Sequence, residues 1–101
     1  MEVKLLEGSD KVFKFSIKGE DYTIGNLLQE FILKDQRVVG AGFTISHPLT
    51  KELVFTVFFK RKTSPKTARK IVMENINKVV EYLDNLNKKV SKALGSGNDG
   101  G

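Results

Sequence analysis

The chain has 101 residues, 17 Lys and Arg against 12 Asp and Glu, a formal net charge of +5, and no cysteine. This length fits one domain with a small hydrophobic core. A chain without cysteine can have no disulfide framework, no thiolate metal site and no cysteine nucleophile, which agrees with an intracellular protein. The sequence shows no signal peptide and no long apolar run, so we expect neither export nor membrane insertion.

The first predicted element is a β-hairpin. Residues 3–6 and 12–17 have strand composition, and they flank Gly8, Ser9 and Asp10, which favour a turn. In the second strand, apolar residues alternate with polar ones, so one face is expected to be buried and the other exposed to solvent. The apolar face consists of Phe13, Phe15 and Ile17.

A helix is predicted after the hairpin. Thr23 is a suitable N-cap, and Glu20 and Asp21 place negative charge at the positive end of the helix dipole. Lys34 is suitable for the C-terminal end of this helix, where the helix dipole favours a positive charge. Gly25 weakens a first turn by ~1 kcal/mol relative to alanine, so we expect another backbone or helix to approach it closely. The apolar stripe of this helix consists of Ile24, Leu27, Leu28, Phe31 and Ile32.

Two further strands follow. In the third, Val39, Ala41, Phe43 and Ile45 are predicted to share one face, and in the fourth, Leu53, Phe55, Val57 and Phe59. With the last helix, the order is β-β-α-β-β-α. This order predicts an α+β fold, in which two helices cover one face of a four-stranded antiparallel sheet.

The last helix is predicted to be very long. Ser64 is its expected N-cap and Pro65 its first residue. Residues 65–94 would span ~45 Å, but a domain of this size is only ~30 Å across. We therefore expect the helix to extend past its own sheet and to seek another helix; the alternative is a helix bent fully onto that sheet. Its heptad seam consists of Val72, Ile76, Val79, Leu83, Leu86 and Val90.

The predicted domain covers residues 1–94. Residues 95–101 read GSGNDGG and contain no apolar side chain, which predicts a disordered tail.

Catalysis finds little support in the sequence. His47 is the only histidine, and Pro48 restricts it to an extended conformation, which is more typical of a packing residue than of a base or ligand. Gly40 and Gly42 lie in a strand pattern and not in a phosphate-binding loop before a helix. We therefore predict no catalytic residue, metal site, cofactor or small-molecule substrate.

A basic cluster surrounds the turn into the last helix. It could contact nucleic acid, with Phe58 stacking on a base, or it could be solvated or meet an acidic partner. A single aromatic side chain is a poor platform for bases, which favours the second interpretation. The cluster consists of Lys60, Arg61, Lys62, Lys66, Arg69 and Lys70.

Residues 20–49 carry a family resemblance. The string Asp-Tyr-Thr-Ile-Gly-Asn-Leu-Leu at 21–28, followed by His-Pro-Leu at 47–49, resembles the alpha-like small subunits of RNA polymerase, archaeal subunit L and its eukaryotic counterparts. Tyr22 stands where the family usually has histidine, and Gln36 where proline is common. The resemblance covers about residues 2 to 94 in length and element order.

The resemblance implies an alpha-subunit dimerisation fold and a non-catalytic assembly role. It implies that the chain pairs with a larger alpha-like subunit of the D type, and that the pair is a platform for the large catalytic subunits. DNA would be reached only through the complex, in the archaeal cytoplasm, or in the nucleus if the chain is eukaryotic. The other function left open is a stand-alone basic nucleic-acid-binding protein, for example a homodimer.

In the resembled family, the first helix and the long last helix dock on one pair of partner helices. On the first helix, the predicted interface residues Leu27, Leu28 and Phe31 could each equally belong to the domain's own core. The predicted partner interface consists of Leu27, Leu28, Phe31, Ile76, Val79, Leu83, Leu86 and Val90.

Overall fold

A β-hairpin opens the fold. The computed structural model describes residues 2–47, 49 and 51–98. Strand β1 (Glu2–Gly8) pairs antiparallel with β2 (Val12–Lys18), and the register shifts between Leu5 and Glu7. The Ser9 amide donates a 2.8 Å hydrogen bond to the Val12 carbonyl and closes the turn. The predicted hairpin is confirmed.

Helix α1 (Tyr22–Leu33) begins one residue before the predicted cap, Thr23. The Asp21 carboxylate accepts hydrogen bonds from the Thr23 amide at 3.0 Å and the Ile24 amide at 3.3 Å, so Asp21 is the N-cap. The assignment of Thr23 as the cap is therefore wrong. Asp21 caps the amides of the first turn and also brings a negative charge to the helix dipole. Lys34 is the C-cap, at the predicted end of the helix.

Gly25 lies where α1 crosses the sheet. A Cβ atom at this position would be 2.7 Å from one ring atom of Phe43 and 3.2 Å from a methyl carbon of Leu53. The expected close approach is therefore present. The neighbour is an aromatic ring on the sheet, however, and not a backbone or another helix.

Strands β3 (Val38–His47) and β4 (Glu52–Phe59) complete the sheet. The strand order is β1-β2-β4-β3 and every neighbouring pair is antiparallel, which confirms the predicted α+β architecture. His47 pairs with Glu52 at the end of β3. Pro48, the second residue of the His-Pro-Leu string, lies outside the described residues.

The start of β3 departs from simple alternation. Val38 pairs with Phe59, but Gly40 pairs with Phe58, so Val39 is an extra residue in a bulge. Val38 is consequently buried at 5% exposure, and Val39 is 66% exposed. The prediction that placed Val39 on the buried face with Ala41 is wrong, because the bulge reverses the faces at this point.

The core lies between one sheet face and the two helices. Phe55 stacks between Phe15 and Phe43, with ring centroids 5.1 and 5.0 Å away. Helix α2 (Pro65–Asn98) begins at the predicted residue. The Ser64 hydroxyl accepts a 3.2 Å hydrogen bond from the Thr67 amide, which confirms the predicted cap.

Helix α2 continues to Asn98, four residues beyond the predicted end at 94. Residues 95–98 thus have helical backbone where the sequence predicted a tail, and residues 99–101 lie outside the described part. The domain boundary at 94 stays a prediction. Among the described helices, none is both long enough and apolar enough to cross a membrane.

Candidate helical interface

Helix α2 extends beyond the sheet that it covers. Its 34 residues span ~51 Å at ~1.5 Å per residue. The molecule measures 57 × 32 × 18 Å, so its longest dimension is close to the length of this helix. Burial along the helix stops after Val79. The buried residues are Ala68, Ile71, Val72, Asn75, Ile76 and Val79.

The apolar seam of α2 continues past the last buried residue. Leu83 is partly buried, and Leu86, Val90 and Leu94 are 45%, 47% and 62% exposed. We call these four residues the overhang seam. A fully buried side chain of this size contributes about 1.5–3 kcal/mol, so covering each half-exposed one would contribute ~1 kcal/mol. An unpaired apolar seam of this length is typical of a helix that lacks its partner.

Helix α1 extends the same apolar surface. Leu27 and Phe31 are partly buried and pack against the core, as Leu83 of α2 does. The ring of Phe31 contacts the ring of Tyr82 edge-on, with centroids 5.8 Å apart, and Tyr82 is 47% exposed. The exposed parts of the two helices are therefore linked through this pair of rings.

The structure divides the predicted interface residues into two groups. Leu28, Ile76 and Val79 are at most 4% exposed and belong to the domain's own core. They leave almost no surface for another chain, so we reassign them to that core. The residues that retain accessible surface are Leu27, Phe31, Leu83, Leu86 and Val90.

Two exposed residues were absent from the predicted interface. Leu94 lies four residues after Val90 and so continues the seam. The heptad spacing of the sequence could therefore have predicted it. Tyr82 lies on the shoulder of the seam, and only the contact with Phe31 shows its position at the junction of the helices. The sequence has no signal for a contact between residues 51 positions apart.

A polar network fixes α2 against the end of α1. The Asp35 carboxylate, which is 5% exposed, accepts hydrogen bonds from Arg37 Nε at 2.9 Å and Nη2 at 2.7 Å. It also accepts a bond from Asn75 Nδ2 at 3.1 Å, and Arg37 reaches Glu74 at 3.3 Å. Asn75 and Glu74 lie on α2, so the network holds the base of the overhang to the loop after α1.

The charges of this network stabilise one another. The hydrogen bonds from the Arg37 side chain hold the pKa of Asp35 well below its ordinary value of 3.8, against the opposing effect of burial. Asp35 in turn raises the pKa of Arg37 above its already high ordinary value. Because its pKa is lowered, Asp35 is charged in the folded protein at every pH near neutrality. Asn75, which donates a hydrogen bond to Asp35, is buried, and its Oδ1 atom has no hydrogen-bond partner in the described structure.

The six residues of the basic cluster are all exposed, and three of them line two different cavities. Lys60 and Arg61 line a cavity of about 560 Å³ together with Arg37. Arg69 lines a different cavity of about 250 Å³, beside Val3 and Leu5 of β1. Lys62 lies 3.8 Å from Asp10 in an exposed ion pair. This separation weakens the case for a single phosphate-binding groove.

No metal-binding arrangement is found in the part of the chain that the structure describes. Within residues 2–47, 49 and 51–98, no group of three or more His, Asp or Glu side chains is placed to hold an ion. The helical surface is the candidate functional site because its exposed apolar side chains suit protein association.

The sequence profile of the RNA polymerase Rpb3/Rpb11 dimerisation domain matches residues 13–89. The chain belongs to this family. The matched region includes α1 and the buried part of α2, together with the start of the overhang seam. It accordingly covers most of the helical surface described above.

Individual proteins that resemble this chain support the same family assignment. The chain is 30% identical to DNA-directed RNA polymerase subunit Rpo11 of Sulfurisphaera tokodaii over 93 residues, which cover 88% of this chain and 100% of the relative. It is 31% identical to Rpo11 of Pyrococcus horikoshii, covering 89% of this chain and 98% of the relative. The crystal structure of RNA polymerase subunit L from Thermoplasma acidophilum superposes with a TM-score of 0.59 at 24% identity. It covers 94% of this chain and 93% of that one, and it supports the fold.

Proposed function

We propose that the chain is a non-catalytic assembly subunit of a DNA-directed RNA polymerase. It pairs through α1 and α2 with a larger alpha-like subunit, and the pair is the platform on which the large catalytic subunits assemble. In this proposal the chain supplies no catalytic residue and contacts DNA only through the complex. The cytoplasmic location expected for an archaeal chain is part of the same proposal.

The overhang seam is the observation that carries this proposal. Its exposed residues continue the heptad pattern of core residues on the same helix, so the geometry suits a second helix and not a flat or polar surface. The Phe31–Tyr82 contact joins the seam to α1, which gives a partner two helices to pack against. Family membership supplies the kind of partner, since the matching family is named for dimerisation.

The test is a pull-down of the larger alpha-like subunit by tagged variants of this chain. Leu86→Asp would place a carboxylate in an apolar contact, where an unpaired charge is strongly disfavoured. Because Leu86 is 45% exposed in the unpaired domain, we expect the variant to fold normally and to lose the partner. Partner binding equal to that of the wild type would refute the proposed interface.

Asn85→Asp is the matched control. It adds the same charge one residue earlier, at an exposed position outside the seam. We expect it to bind the partner as the wild type does. Leu83→Asp should impair both folding and pairing, because Leu83 is partly buried against the core as well as part of the seam.

The isolated chain offers a second test. Exposed apolar patches of this kind promote association, so we expect the purified chain to self-associate in sedimentation experiments and to form a defined pair once the larger subunit is added. A cooperatively folded monomer at high concentration would count against the seam as an interface.

The nucleic-acid-binding alternative predicts a different result. If all six cations of the basic cluster contacted duplex DNA phosphates, the log–log salt dependence of affinity would have a slope of about −5. We expect weak DNA binding without sequence preference, and unchanged pairing when Arg61, Lys62 and Arg69 are replaced by Gln. Tight binding that this triple variant abolishes would favour the alternative.

A further inference from the structure

The sheet face opposite the helices carries an open depression over β3. Phe58 pairs with Gly40, and Thr56 pairs with Gly42 on one side and Lys14 on the other. These residues therefore form two short rows across β2, β4 and β3. The depression has a volume of about 710 Å³, and Phe58 at its edge is 46% exposed. Its lining consists of Ser9, Val12, Lys14, Gly40, Ala41, Gly42, Thr56 and Phe58.

No contact within residues 2–47, 49 and 51–98 requires glycine at position 42. Among the glycines of the described ranges, only Gly19 has a positive φ, so the backbone at Gly42 would accept any residue. A Cβ atom there would meet nothing within 4 Å. Glycine costs a strand roughly 0.5–1 kcal/mol relative to alanine. Glycine in a strand often marks the close approach of another backbone or ligand, and no group among the described residues makes that approach at Gly42.

The neighbouring glycines show what an internal reason looks like. Gly25 is required by the Phe43 ring, which would be 2.7 Å from a Cβ atom. Gly40 has the Phe58 ring at 3.8 Å, an ordinary packing distance that partly covers its backbone. Gly42 alone of these three has neither a steric nor a packing partner.

The chemistry of the depression indicates what occupies it. Its floor is backbone and its sides include Val12 and Phe58, which suits a bulky apolar side chain. The adjacent end of the sheet is basic: the Phe59 amide bonds to the Lys11 carbonyl, so Lys11 and Lys60 lie at neighbouring strand ends. Asp10, the acid at this end, already faces Lys62 at 3.8 Å. A carboxylate beside the apolar side chain would match this charge.

We propose that this depression binds an extended segment of another protein subunit, one that inserts a bulky apolar side chain over Gly42 and presents a carboxylate to the basic end of the sheet beside the depression. The proposal rests on the proposed function in one respect, since the segment would belong to a polymerase subunit other than the one paired with the helices. A nucleic-acid occupant is less well matched, because Phe58 is the single aromatic side chain in the lining.

A cysteine at position 42 tests the proposal directly. The chain has no native cysteine, so the thiol of Gly42→Cys would be unique, and the site has room for it. Maleimide labelling is measured on the chain alone, on its pair with the larger alpha-like subunit, and on the reconstituted polymerase. We expect rapid labelling in the first two samples and labelling slowed on the order of tenfold in the third, where the thiol is covered.

Thr44→Cys is the matched control, because it is exposed on the same strand and face but lies outside the lining. It should label equally in all three samples. Equal labelling of Gly42→Cys in all three would overturn the proposal. So would protection by single-stranded DNA alone, which would assign the depression to nucleic acid.

A second variant separates this proposal from the proposed function. Gly42→Val fills the depression with a side chain that suits a strand, so the chain should fold and still pair with the larger alpha-like subunit. We expect incorporation of that pair into the polymerase to fall. Normal incorporation of the Gly42→Val pair would overturn the proposal. If only Leu86→Asp fails to pair with the larger subunit, that result tests the helical interface and not the depression.

Discussion

Replacing Gly25 by alanine tests how α1 is seated on the sheet. In an unconstrained helix this change stabilises by about 1 kcal/mol, because alanine has the higher helix propensity. In this structure the new Cβ atom would lie 2.7 and 2.8 Å from two ring atoms of Phe43. Favourable carbon–carbon contacts are ~3.5–4.0 Å, so the ring or the helix would have to move by roughly 1 Å.

The Phe43 ring has little freedom to make this movement. It stacks on Phe55 at a centroid distance of 5.0 Å, and Tyr22 contacts it at 5.3 Å. Phe55 has no exposed surface and is itself stacked on Phe15. Overpacking a core of this kind costs about 1–3 kcal/mol. After the gain of about 1 kcal/mol in helix propensity, the net cost is ~0–2 kcal/mol, and we expect Gly25→Ala to lower the free energy of unfolding by about 1 kcal/mol.

Urea unfolding of dilute protein, followed by circular dichroism, measures this difference. A loss of about 1 kcal/mol corresponds to a fall of roughly 4–8 °C in the melting temperature for a domain of about 100 residues. Gly42→Ala is the matched control, because its Cβ atom meets nothing within 4 Å, and we expect it to be neutral or stabilising. Stabilisation by Gly25→Ala equal to that of Gly42→Ala would refute the seating of α1 on Phe43.

Two further predictions concern the ends of α1. Asp21→Ala removes the N-cap and should cost about 1 kcal/mol of unfolding free energy, whereas Thr23→Ala should cost less than ~0.5 kcal/mol; the reverse order would restore Thr23 as the cap. Because the pKa of Asp35 is lower in the folded than in the unfolded state, its stabilising contribution is complete above the ordinary value of 3.8 and is lost as the pH falls below it. Asp35→Asn should therefore be less stable at neutral pH, by about 2 kcal/mol, and should lose less stability on acidification. Parallel acid-unfolding curves for variant and wild type would contradict this assignment.

Local patterns predicted the elements, and long-range contacts decided their details. Alternation in β2 and β4 and the Ser64-Pro65 signal were sufficient for the strands and the start of α2. The bulge at Val39 was not predictable, because two adjacent valines fit either face of a strand. The network from Asp35 to Asn75 was equally hidden, since it joins residues 40 positions apart whose types are common on any surface.

The helical interface shows the same limit within a single pattern. Val79 and Leu86 are both apolar residues of one heptad seam, and the spacing alone assigns them the same environment. What separates them is the edge of the sheet: Val79 lies over it at 1% exposure, and Leu86 lies beyond it at 45%. The position of that edge depends on how α2 is held to the loop after α1, which is the role of Asp35 and Asn75. The polar network, together with the apolar packing of α2 against the core, therefore holds the helix in the position that buries Val79 and leaves Leu86 for a partner.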